Sequence, residues 1–153
     1  MGQTWSCSIL PPTIKFTVHG RPELPNQKRS HWSARARNSR EWRKAVILAA
    51  RVELGPPPYP MFDKATVTFD CFRSREPDHD NLVASIKPLL DGLQPAKNIR
   101  RPNGVPIHVN GCGIIATDEP SCIGSPIVRW HKCKRSACRV EITVDMELEG
   151  NPE

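Results

Sequence analysis

The chain has 153 residues, 38% of them hydrophobic and 25% charged, which suits one soluble domain with a real core and excludes a disordered polymer. No apolar run approaches the roughly 20 residues of a bilayer span, and no export signal opens the sequence, so a cytoplasmic protein with no membrane partner is expected. The formal net charge of +6 points to an anionic partner, most commonly nucleic acid.

That charge is unevenly spread. Residues 1–60 hold 10 Lys/Arg against Glu23, Glu41 and Glu53, so 10 − 3 leaves +7 there and −1 in the remainder.

Residues 14–18 alternate apolar and polar side chains and predict a first strand. Residues 20–38, rich in Pro, Asn, Ser and Arg, predict a loop. Asn38 or Ser39 can cap a helix running to about residue 54, with Trp42, Val46, Ala49 and Val52 as its apolar stripe. Gly55 and the prolines at 56–58 end it. Across this region runs "KRSHWSARARNSREWRK", in which Lys28, Arg29, Arg35, Arg37, Arg40, Arg43 and Lys44 outnumber the single Glu41. Arginine forks suit phosphate, and an exposed Trp stacks on an unpaired base, a role open to Trp32 in the loop.

Residues 65–72 form a second predicted strand, with Val67, Phe69 and Cys71 on one face. A helix follows in "REPDHDNLVASIKPLLDGL". Asp80 is placed to cap it; Leu82, Ile86, Leu90 and Leu93 take the core side, and Asp80, Lys87 and Asp91 form a polar row opposite. Pro88 removes the hydrogen bond to Ala84 and should kink it. The proline-rich and glycine-rich residues 94–112 predict a long connection. Short strands are expected near 113–116, 127–132 and 139–146, with Lys132, Lys134 and Arg135 adding a second basic strip. An acidic tail closes the chain over 147–153.

Asp78 and Asp80 repel each other unless a cation sits between them. An EF-hand fails as the explanation, because its sixth and twelfth positions fall on Val83 and Leu89 rather than Gly and Glu. Magnesium fits better, since it takes one or two carboxylates plus waters and a substrate phosphate. Further carboxylates stand in "GIIATDEPS" at Asp118 and Glu119. The six cysteines are expected to be reduced thiols in a chain without an export signal. A zinc site from Cys112, Cys122, His131, Cys133 and Cys138 is the competing metal arrangement, although no C-x-x-C knuckle is present.

"PDHDNLVASIKPLLDGL", followed by "IIATDEP" and the basic strand "IVRWHKCKR", resembles the RusA family of Holliday junction resolvases over roughly residues 14–146. The resemblance implies that Asp78 and Asp80 are the first two metal-binding acids, Asp118 the second of a later Asp pair, and Lys87 the helical lysine. Thr117 stands where that later pair has its first Asp, and Glu119 is the nearest substitute. It further implies a homodimeric, Mg²⁺-dependent endonuclease, with Mn²⁺ able to substitute, that cuts branched double-stranded DNA at four-way junctions in a bacterial or phage-infected cell. No small-molecule cofactor is expected. The implied rival is a family member that binds junctions without cutting them.

The order strand, helix, strand, helix and then several strands predicts an α+β fold in one domain, residues 1–153, with a mixed sheet packed on two main helices.

Overall fold

Three rows of apolar side chains run straight across the sheet. Ile14, Val144 and Val67 make the first row, Phe16, Ile142, Phe69 and Val128 the second, and Val18, Val140, Cys71 and Trp130 the third. All but Trp130 are buried. The rows exist because each strand alternates: β1 (Thr13–His19) buries Ile14, Phe16 and Val18 while Thr13, Lys15 and His19 face solvent. β6 (Arg139–Met146) repeats the pattern, and β2 (Ala65–Arg73) keeps it except at Thr68, which is buried as well. The strand order is β1-β6-β2-β5. β6 pairs antiparallel with β1 and β2, while β5 (Ile127–Lys132) lies parallel to β2 at the edge. The computed structural model describes residues 13–24 and 32–147. Lys28, Arg29 and the acidic tail past 147 lie outside them.

Helices cover the apolar face. α1 (Trp32–Leu54) packs on β1 and on α3. It begins several residues earlier than expected, because the basic stretch 32–38 continues the helix instead of looping, and Trp32 opens it. Its buried stripe is Val46, Ala50 and Leu54, spaced by four. Val52, expected in that stripe, is 88% exposed; two residues from Ala50 is about 200° around a helix, so it points away.

The expected helix over residues 80–93 is two short ones, α2 (His79–Ser85) and α3 (Lys87–Leu93), divided at Ile86. Pro88 sits in the first turn of α3, where its missing N–H costs nothing. Leu82, Ile86, Leu90 and Leu93 are all buried, as predicted.

Residues 94–112 are an antiparallel ribbon rather than an irregular connection: β3 (Pro95–Arg100) pairs with β4 (Pro106–Cys112). Each proline opens its strand, where no ladder donor is needed, and Gly104 at φ 82° turns the chain between them. Every residue of β3 is exposed, so no apolar alternation marked it. The strand expected at 113–116 is one parallel bridge, Phe62 to Ile115. Ile114 and Ile115 are both fully buried, and their N–H groups both donate to Leu93 O, at 2.9 and 3.2 Å. A single helical turn, α4 (Pro120–Ile123), precedes β5. The turn between β5 and β6 holds a 3₁₀ segment, Arg135–Ala137.

The class is therefore α+β. No helix among the described residues is long and apolar enough to cross a membrane.

Candidate active site and basic surface

The carboxylate pair is delivered by the end of β2. After Arg73 the connector reaches Asp78, which holds the N-cap position of α2 with extended backbone, φ −59° and ψ 138°. Its carbonyl accepts the first helical bond, from Leu82 N at 3.0 Å. Asp78, not Asp80, thus occupies the cap position, and Asp80 lies in the first turn. The Asp78 side chain does not cap the helix, forgoing the roughly 1 kcal/mol that a capping carboxylate supplies. Both aspartates are exposed, and neither carboxylate has a hydrogen bond or ion pair among the described residues.

Lys87, the first residue of α3, lies seven residues beyond Asp80, across the break at Ile86. Its ammonium reaches Asp118 Oδ2 at 2.5 Å and Asp91 Oδ1 at 3.1 Å. Asp118 is brought there by backbone clamps: Ile114 and Ile115 hang from Leu93 O, and Ala116 N donates to Phe62 O at 3.0 Å. The Lys87 hydrogen bond holds the Asp118 carboxyl below its ordinary pKa, against the opposing effect of partial burial. Partial burial pulls the Lys87 pKa down, but its bonds to Asp118 and Asp91 outweigh this and raise it. Asp91 lies on the predicted polar row; its four-residue spacing from Lys87 is the signal for a partnership.

Thr117 uses its hydroxyl locally, accepting from Glu119 N at 3.3 Å. Glu119 holds the N-cap position of α4 and is exposed. The structure thus joins Lys87 to Asp118 and sets Asp78 beside Asp80. Among the described residues, no three His, Cys, Asp or Glu side chains gather closely enough to hold an ion, so the two halves of the expected site are not joined by a shared ligand set.

The residues of the competing zinc arrangement are scattered. Cys122 is buried with its thiol on Phe62 O. His131 bonds Asp70 Oδ1 at 2.8 Å. Cys133 and Cys138 meet, with Sγ atoms 4.0 Å apart.

The basic residues of α1 divide around its axis. Arg37, Arg40 and Lys44 fall within about 60° of one another, opposite the buried stripe, and all three are exposed. Arg35 is on the core side of the helix, lining a groove with Trp42, Ser85 and Pro88. Lys132 ends the edge strand β5 and Lys134 begins the following turn; both are exposed. Lys28 and Arg29 lie outside the described residues, as does the side chain of Trp32.

Comparison of the chain with family models, with curated proteins and with solved structures finds no match.

Proposed function

We propose that this chain is a RusA-type, metal-dependent endodeoxyribonuclease that cuts four-way DNA junctions by phosphodiester hydrolysis. The observation carrying this reading is the contact between Lys87 and Asp118, two motif residues from separate segments. A chance likeness of short motifs would not require them to touch. Asp78 and Asp80 supply the exposed, unpaired oxygen donors that a hard divalent cation takes. They would hold Mg²⁺, or Mn²⁺ in its place, while Asp118 is engaged by Lys87 and stands outside that pair. When bound, such an ion supplies Lewis-acid chemistry at the phosphate.

The chain's own residues do the rest. The Lys87 ammonium, kept protonated by Asp118 and Asp91, is suited to offset charge growing on a phosphate or leaving oxygen. Arg37, Arg40, Lys132 and Lys134 present cations to the DNA backbone and bind without regard to sequence. A homodimer would place two such sites on the two strands of one junction, in the cytoplasm of a bacterial or phage-infected cell.

A second reading follows from Lys87 occupying Asp118 and from Thr117 being spent on its own turn: a protein that binds junctions without cutting them. One assay separates the two. Purified protein with Mg²⁺ is expected to nick a synthetic four-way junction and to spare linear duplex of equal length. Binding with no nicking selects the second reading, and equal cutting of duplex removes junction selectivity.

A further inference from the structure

Beside the carboxylate pair, a pocket of about 540 Å³ opens between the segment following β1, the β2–α2 connector and the β5–β6 turn. Four arginines line it, Arg21, Arg73, Arg75 and Arg135, against one carboxylate, Glu76. A second pocket shares Arg21 and Arg135, so the positive surface continues past the first opening. None of the four arginines forms a salt bridge among the described residues.

Arg73 is the informative member. It is 5% exposed, and its guanidinium donates to the backbone carbonyl of Pro22 at 2.8 Å. Burial, together with the nearby Arg21, holds its pKa below the usual value, yet a guanidinium in a protein stays charged. A buried cation facing more cations is costly unless an anion offsets it. Among the described residues lining the pocket, one carboxylate faces four guanidiniums, a net positive charge that a bound anion would offset.

We propose that this pocket binds a phosphate of the substrate strand and sets the strand's position relative to Asp78 and Asp80. The chemistry favours phosphate because several guanidinium forks can engage its oxygens in pairs. The location favours a strand over a free ion: Pro77, in the pocket wall, directly precedes Asp78. A strand passing this pocket therefore runs along the segment that leads into the two carboxylates. The arginines are positioning residues, and this role rests on the nuclease reading above.

The test is junction binding without metal, measured by fluorescence anisotropy over a salt series, for wild type, Arg75→Gln, Arg135→Gln, the double variant and Arg75→Lys. Arg73 is left in place because its removal could unfold the chain. The double variant is expected to bind about tenfold more weakly, with a salt slope shallower by roughly 0.9 for each phosphate no longer neutralised. Arg75→Lys should restore the slope but only part of the affinity, since lysine lacks the fork. Inorganic phosphate should raise the thermal midpoint of wild type and leave that of the double variant unmoved. Equal affinity and slope in the double variant and wild type overturn the proposal, even where junction cutting is intact. Failure of wild type to cut overturns the nuclease reading instead, while a slope difference still upholds the phosphate site.

Discussion

Lys87 Nζ lies 2.5 Å from Asp118 Oδ2, joining the first residue of α3 to a loop 31 residues further along the chain. Asp91 adds a second carboxylate at 3.1 Å. Because the folded Asp118 carboxyl is below its ordinary 3.8, its contribution to stability is present above that value and is lost as pH falls through the depressed one. Because folded Lys87 is above its ordinary 10.5, its contribution is present below 10.5 and is lost as pH rises through the raised value. Lys87→Met should therefore be less stable than wild type between those limits, with the gap closing on both sides. The Lys87 side chain is 56% exposed, which keeps the gap below about 1 kcal/mol. Urea melts at pH 3, 7 and 11 measure it; a gap independent of pH would show that packing, not charge, is responsible.

Asp78→Asn and Asp80→Asn each replace a carboxylate with a neutral group of the same shape. Cutting of a four-way junction should fall by about 10²–10³ or more, the usual loss when an electrostatic partner of the reaction is removed. Junction affinity should hold or improve, since a negative charge beside phosphate is gone. Single-turnover cleavage and anisotropy on the same preparations separate the two effects. Wild-type cleavage by either variant removes that residue from the site.

Two glycines mark close approaches that stability measurements can test. At Gly111 an added Cβ would lie 1.9 Å from the Gln94 carbonyl oxygen, so Gly111→Ala must part the ribbon at its base, at a cost of about 2–4 kcal/mol. At Gly92 the Cβ would lie 3.1 Å from Val46 Cβ and 3.3 Å from Arg43 Cα. Neither is the tip of a flexible chain, so α1 and α3 must separate. Alanine's helical advantage of about 1 kcal/mol competes there with overpacking of about 1–3 kcal/mol. A net loss near 1 kcal/mol is expected from urea unfolding, and a stabilised Gly92→Ala would show that the two helices yield easily.

The thiols should divide by position. Burial pushes the Cys71 thiol up to about 12 and that of Cys112 up to about 11, and Cys122 is buried in the core. Iodoacetamide at pH 8 should therefore modify Cys138, in the β5–β6 turn, well before these three, with Cys133 behind it because desolvation and the Cys138 thiol beside it raise its pKa. Chelation should leave the order of labelling unchanged, because Cys122 and His131 are committed elsewhere. Peptide mass spectrometry reads the order. Protection of Cys133 and Cys138 that EDTA abolishes would restore the zinc arrangement.

The parts of the fold that are legible in the sequence are those with a sustained apolar period. The strands β1, β2, β5 and β6 alternate or carry β-branched runs, and Leu82, Ile86, Leu90 and Leu93 face inward as their spacing requires. Illegible parts lack a buried face or bury two. β3 exposes every residue, and Ile114 with Ile115 buries both neighbours, so neither offers alternation. The early start of α1 is hidden because its first turns are basic and solvated, leaving polar composition to suggest a loop. Within the site, the Lys87–Asp91 contact follows from helical spacing, whereas Lys87–Asp118 depends on the clamp at Leu93. The arginine pocket is not foreseeable, since its walls come from three separate segments.

The feet of the β3–β4 ribbon are tied together. Gly113 N donates to Gln94 O at 3.1 Å, and Ile114 N to Leu93 O at 2.9 Å, so the chain leaves and re-enters the body at one point. Whatever lies between those ties is spliced in, like a cassette in a closed circuit. The tip of the ribbon, around Gly104, can therefore be lengthened or shortened with little loop-closure penalty, whereas its base packs on α1 and α3 and brings Lys97 near Asp118.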